Sequence, residues 1–214
     1  MSPTAQRFPN RRRFLLSLGL LSQIAAAPKA PVVTVLGDSI TAGLGLPARD
    51  AMPAQLQAAL GRSGVSAIVR AAGVSGDTSG GGLARVGFSV ASDTRICVVA
   101  LGGNDLLQGV EPAQTKANLR GILQKLKARG VGAILVGVGA PPTIGGAYAR
   151  EFNAIYPGLA REFAVPLYAN ILAGVGGNQA LMQRDGIHPN AAGARRIGEA
   201  LAPVVAKALK ARRP

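Results

Sequence analysis

Two chemically versatile residue types are nearly missing from this chain of 214 residues, which has one cysteine, Cys97, and one histidine, His188. A lone thiol excludes an internal disulfide, and with a single imidazole beside it argues against a zinc site, which relies on several such ligands. Tryptophan is absent, and the aromatic complement is three tyrosines and five phenylalanines. A core must therefore come from Val, Leu, Ile and Ala. No segment interleaves aromatic with basic residues in the manner of single-strand nucleic-acid binders, so nucleic acid is not an expected partner. Acidic residues are scarce, with 10 Asp and Glu against 24 Lys and Arg and a formal charge of +14. A surface that basic attracts anions. The cations are spread along the chain, however, with a modest cluster only at Lys207, Lys210, Arg212 and Arg213, and read as solubilising.

The first thirty residues read as an address. Asn10-Arg11-Arg12-Arg13-Phe14-Leu15-Leu16 resembles a twin-arginine export signal, with Asn10 in place of the usual Ser or Thr and Leu16 in place of a frequent lysine. The mostly apolar stretch from Phe14 to Ala27 is too short to span a bilayer comfortably. Ala25, Ala26 and Ala27 supply the small residues of a cleavage site, while Pro28 directly after them is unfavourable and leaves the cut position open. The alternative is an uncleaved membrane anchor; no cysteine is there to carry a lipid. The expected organisation is an export signal over 1–30 and one domain over 31–214, with the protein in the periplasm or beyond. Residues 1–27 hold Arg7, Arg11, Arg12 and Arg13 and no acid, so without them the charge falls from +14 to +10.

Beyond the signal, short apolar runs alternate with helical patterns. Val32–Leu36, Ala67–Ala72, Arg95–Leu101, Val131–Val138 and Ala164–Tyr168 read as strands. Between them, Asp50 is placed to cap a helix carrying Met52, Leu56 and Leu60, and Pro112 opens one with Leu119, Ile122, Leu123 and Leu126 on one face. Phe152, Ile155, Leu159 and Phe163 mark a helix interrupted or bent at Pro157. Ile197, Leu201, Val205 and Leu209 mark a last helix bent at Pro203. Near-continuous apolar strands alternating with helices imply a parallel sheet covered on both faces. Cys97, inside such a strand, reads as a buried small hydrophobe.

In a parallel sheet, reactive groups collect at the carboxyl ends of strands. The first strand ends in Gly37-Asp38-Ser39-Ile40-Thr41, the second runs into a glycine-rich segment from Gly73 to Gly82, and the third ends in Leu101-Gly102-Gly103-Asn104-Asp105. Asp185-Gly186-Ile187-His188-Pro189-Asn190 precedes the last helix, where it can close over the same edge. Histidine titrates near neutrality, and an aspartate three residues earlier can fix its tautomer. A serine on a tight strand-to-helix turn is exposed, with backbone N–H groups nearby. Each segment alone is common; their order is not.

Together they resemble the SGNH, or GDSL, hydrolase family, from about Val32 to the end of the chain. The blocks are Gly37-Asp38-Ser39, Gly76, Gly103-Asn104-Asp105 and Asp185-Gly186-Ile187-His188-Pro189-Asn190. Ser75-Gly76-Asp77-Thr78-Ser79, Leu101-Gly102-Gly103-Asn104-Asp105 and Ile155-Tyr156-Pro157 are similar to the thioesterase I/protease I/lysophospholipase L1 branch, which also holds arylesterases. The resemblance implies a three-layer α/β/α, flavodoxin-like fold with five parallel strands. It implies Ser39 as nucleophile, His188 as general base and Asp185 as its orienter. The oxyanion hole would be the Ser39 and Gly76 backbone N–H groups and the Asn104 amide. Glycine at 76 would let a carbonyl approach without a Cβ in the way, and an amide at 104 donates without titrating. Asp38 and Asp105 would order turns rather than react.

The reaction implied is acyl transfer through an acyl-enzyme on a small-molecule ester or thioester, with no metal and no organic cofactor, by a monomer in at most transient contact with membrane lipid. A carbohydrate acetylesterase is the alternative within enzymes. A non-catalytic binder of anionic lipid or glycan is the alternative outside them. Leu106 stands where close relatives often have glycine, in a loop that the resemblance links to acyl chains, where it would stiffen the loop or add an apolar contact.

Overall fold

The computed structural model describes residues 29–212; the export-signal reading over 1–30 lies outside that range but for its last two residues. Strands β1 (Val32–Gly37), β2 (Ile68–Gly73), β3 (Thr94–Ala100), β4 (Gly132–Val136) and β5 (Leu167–Tyr168) form one sheet in the order β2-β1-β3-β4-β5, every pair parallel. This is the flavodoxin-like order, in which the chain reverses direction across the sheet beside β1. The helices are α1 (Ser39–Ala42), α2 (Met52–Arg62), α3 (Ser79–Ser89), α4 (Gly103–Leu107), α5 (Pro112–Ala128), α6 (Gly146–Phe163) and α7 (Ala191–Ala211).

Strand side chains alternate between two faces, and both faces are covered. Val33 and Val35 of β1 join Leu56 and Leu60 of α2 and Ile197 and Leu201 of α7. Leu36 joins Cys97, Val99, Val86 of α3, Leu119 and Ile122 of α5, and Phe152 of α6. That two-sided burial is why all six residues of β1 are buried and why the strands read as unbroken apolar runs. Burial pushes the Cys97 thiol up to about 12, so it packs as a small hydrophobe and does not ionise.

Four local expectations are corrected. Asp50 does not cap α2; it ends a 3₁₀ turn, Ala48–Asp50, and the cap position is Ala51, with Pro53 in the first turn. Neither Pro157 nor Pro203 interrupts its helix. The carbonyls each proline leaves without a donor belong to Asn153 and Glu199, both exposed residues that solvent reaches. The fifth strand is only Leu167–Tyr168, because Ala164 turns left-handed to end α6 and Pro166 has no N–H to offer a ladder.

The fourth correction concerns the glycine-rich stretch, whose last residues, Ser79–Gly82, open a helix. Gly80, Gly81 and Gly82 lie inside α3, despite glycine's poor helix propensity. Thr78 caps the helix, its hydroxyl accepting from the Gly81 N–H, and a Cβ on Gly82 would lie 2.2 Å from a Leu101 methyl. Close packing against β3 therefore selects glycine there.

Arg62, Lys125, Lys127, Arg161 and Lys210 occupy the last turns of α2, α5, α6 and α7, where cations complement the helix dipoles. Those turns all lie toward the amino edge of the sheet, away from the strand ends that carry the site.

Candidate active site

Glycine at the ends of β1 and β2 lets α1 sit directly on the sheet. A Cβ on Gly37 would fall 2.1 Å from the Thr41 hydroxyl, and one on Gly73 2.3 Å from the Ala42 nitrogen. Asp38 is the N-cap, its Oδ1 accepting from the Ile40 N–H at 3.1 Å. Ser39 is thus the first residue of a helix, so its own N–H precedes the first intrahelical bond and is left for other partners.

The last block folds as an Asx turn over this serine. Asp185 Oδ1 accepts from the backbone N–H groups of Ile187 at 2.9 Å and His188 at 3.0 Å. Its Oδ2 lies 2.7 Å from His188 Nδ1, and His188 Nε2 lies 2.8 Å from Ser39 Oγ. An alcohol, an imidazole and a carboxylate are in hydrogen-bond sequence. That set can pass the alcohol proton to the ring while the carboxylate steadies the imidazolium. The two backbone N–H groups and the imidazole hold the Asp185 carboxyl down at about 2.

Asn104, the second residue of α4, donates through Nδ2 to the Asp77 carbonyl at 3.0 Å, which fixes the plane of its amide. Gly76 immediately precedes Asp77 in a turn closed by the Asp77 N–H on the Val74 carbonyl at 3.1 Å. Among the hydrogen bonds of the described residues, the Gly76 N–H has no acceptor. The backbone conformation gives a further reason for glycine there. A Cβ would meet nothing within 4 Å, but φ is +82°, a conformation side chains disfavour.

Ser39, Asn104 and His188 line one solvent-open cleft of about 210 Å³, whose walls include Ile40, Leu106, Leu107, Val136, Val138, Ile171, Leu172 and Ile187. Gly76 is outside that lining and reaches the site through the Asp77–Asn104 bond. Leu106 contributes an apolar wall and packs against the core.

A model of the GDSL-like lipase/acylhydrolase family matches residues 35–196. The esterase TesA of Pseudomonas aeruginosa is 41% identical over 191 residues, covering 89% of this chain and 94% of that one. The chain belongs to the GDSL-like lipase/acylhydrolase family. The thioesterase 1/protease 1/lysophospholipase L1 of Escherichia coli K12 is 42% identical over 176 residues, 82% of each chain. In three dimensions, a crystal structure of TesA superposes with a TM-score of 0.78 at 40% identity, covering 83% of this chain and 99% of that one. AlinE4, an SGNH-hydrolase family esterase, gives 0.72 at 41% identity over 86% of this chain and 99% of that one. The reaction class is ester hydrolysis.

Around this acylhydrolase site stand residues that sequence reasoning passed over or underused. Asp105 is fully buried: it accepts from the Ser79 backbone N–H at 2.7 Å, from the Ser79 hydroxyl, and from Thr115 Oγ1 at 3.1 Å. It orders the start of α3 and, through Thr115, α5, so it ties elements together rather than setting one turn. Tyr156 is buried and donates to the Leu101 carbonyl at 2.9 Å, just before α4. Arg85, on α3, is buried and ion-paired with Asp77 at 2.7 Å. A charged residue on a helical face carries no sequence signal that separates a solvated arginine from a buried one.

Burial raises the Asp38 carboxyl from 3.8 to about 6. A carboxyl whose folded-state value lies above its unfolded one binds more protons when folded, so this group costs stability as pH rises from about 4 to about 6. Two units correspond to about 3 kcal/mol. Asp38→Asn keeps a capping oxygen for the Ile40 N–H. It is therefore expected to raise unfolding free energy by up to about 3 kcal/mol at pH 8 and to change it little at pH 4. Urea unfolding at both pH values checks this; equal effects at the two would remove the buried charge as the cause.

Proposed function

We propose that Ser39 is the nucleophile of a serine esterase that hydrolyses acyl esters and thioesters through an acyl-enzyme. The observation that carries the reading is the continuous hydrogen-bonded chain from Asp185 through His188 to Ser39 at 2.7 and 2.8 Å, opening into an apolar cleft. As Ser39 Oγ attacks the carbonyl carbon, its proton moves to His188 Nε2, and the carbonyl oxygen becomes an oxyanion. The Ser39 and Gly76 N–H groups and the free hydrogen of the Asn104 amide receive it. Collapse expels the alcohol or thiol, which takes the proton from Nε2. Water then repeats the cycle on the acyl-enzyme, its proton passing to Nε2 and back to Ser39 Oγ as the acid leaves. Each step uses side chains and backbone N–H groups of this chain and no metal or organic cofactor.

The apolar walls favour an acyl chain over an acetyl group, and export by the twin-arginine-like segment would place the enzyme in the periplasm or beyond, as a monomer. Burying each methylene contributes up to about 0.8 kcal/mol, or about fourfold in kcat/KM, until the cleft is full. A series of p-nitrophenyl esters and acyl thioesters from two to twelve carbons tests this. The expected result is a rise with chain length to a plateau. A maximum at acetyl in both series would overturn the acyl-chain reading and support a carbohydrate acetylesterase.

A further inference from the structure

Arg85 is not near enough to the cleft to line it, yet its guanidinium is bonded to three of the segments that build the site. Nη2 donates to the Gly37 carbonyl at 2.8 Å, two residues before Ser39. Nη1 donates to the Ala72 carbonyl at 2.9 Å, at the end of the strand that leads to Gly76, and to Ser89 Oγ at 3.2 Å. Nε donates to Asp77 Oδ2 at 2.7 Å. Asp77 in turn offers its backbone carbonyl to Asn104 Nδ2. The Gly37 carbonyl also accepts the Val74 N–H at 3.1 Å, so β1 and the loop after β2 share one acceptor beside the guanidinium.

We infer that Arg85, with Asp77, is a positioning residue for the oxyanion hole, acting through backbone and through Asn104 without touching substrate. This rests on the proposed acyl-transfer reading. Only a planar fork of donors spans the arrangement: the bonds leave from Nε, Nη1 and Nη2 toward β1, β2 and the Asp77 loop at once. A lysine ammonium is a single point with no fixed plane and satisfies one or two of them. Each anchored segment carries or adjoins one oxyanion donor, so a guanidinium on α3 sets the relative placement of groups contributed by β1, β2 and α4. Both Arg85 and Asp77 side chains are only 11% exposed, which shields the pair from solvent competition. The hydrogen bond from Asn104 reaches the same residue that Arg85 grips by its carboxylate. Displacement of Asp77 therefore releases the amide and shifts Gly76 together.

The test is steady-state kinetics of the purified protein on a p-nitrophenyl ester, for wild type, Arg85→Lys, Asp77→Ala, Asp77→Asn, Asn104→Ala and the double variant Asp77→Ala/Asn104→Ala. Because sub-ångström placement of oxyanion donors governs kcat, Arg85→Lys and Asp77→Ala are expected to lose about 10–100-fold in kcat with KM within about twofold. Asp77→Asn retains an acceptor for Nε and is expected to stay within about threefold of wild type in kcat. Because Asp77 acts through Asn104, the double variant should lose less than the product of the single losses by at least about fivefold. Should Arg85→Lys fail to fold, the Asp77 pair and the double variant carry the test. Unchanged kcat in Asp77→Ala, or strict multiplication of the two losses, overturns the inference while leaving the esterase reading intact. A wild type that turns over no ester overturns both.

Discussion

Ser39→Ala is expected to lower kcat for ester hydrolysis by about 10⁴–10⁶ while leaving the fold in place, the range seen when a triad member is removed. The change deletes one oxygen from a residue whose backbone N–H and helix cap remain, since Asp38 still caps α1 through the Ile40 N–H. No other hydroxyl lies within hydrogen-bond distance of His188 Nε2 among the described residues. The rate that survives would come from the oxyanion donors acting on bulk water. The wild-type pH profile belongs to the same prediction. A protonated imidazole cannot accept the serine proton, so activity is lost on the acid side. Asp185, held near 2, stays ionised throughout that range. Asp38, raised to about 6 by burial, also takes up a proton on the acid side. The Asp38→Asn variant separates the two: the acid limb persists if it belongs to His188 and vanishes if it belongs to Asp38.

Asn104→Ala carries the second large effect. Its amide lines the cleft together with Ser39, and the bond to Asp77 aims it. Removing a single oxyanion donor typically costs about 10²–10³ in kcat, or about 2.7–4 kcal/mol of transition-state stabilisation. Because the charge on oxygen develops only during attack, the loss should fall on kcat with KM little changed. Stopped-flow measurement of acylation with a p-nitrophenyl ester checks it directly. A rise in KM at unchanged kcat would assign Asn104 to ground-state binding instead.

Much of this was legible in the residues because both kinds of signal were strong. The parallel strands announced themselves as runs such as Val32–Leu36, which is buried on both faces and carries a single polar residue, Thr34. The segments that meet at the strand ends were visible as blocks, and the fold brings Ser39, His188 and Asp185 into bonding distance. What escaped was what depends on packing rather than pattern. The start of α3 hides behind glycines, one of which, Gly82, is there for close contact with Leu101 just after β3. Pro157 reads as an interruption or a bend, yet α6 continues through it, because sequence does not tell which carbonyls face water. Arg85 and Asp105 escaped because burial turns a charged side chain into a fastener, and nothing in local sequence reports burial for a single arginine or aspartate.

The most direct test of the central claim is to treat the purified protein with a fluorophosphonate ester and locate the adduct by peptide mass spectrometry. An activated serine attacks phosphorus, expels fluoride and retains the phosphonyl group. The account predicts one adduct per chain, on the peptide containing Ser39, formed in step with loss of esterase activity and absent from Ser39→Ala. An adduct on another residue, or undiminished turnover by a chain labelled at Ser39, would contradict it.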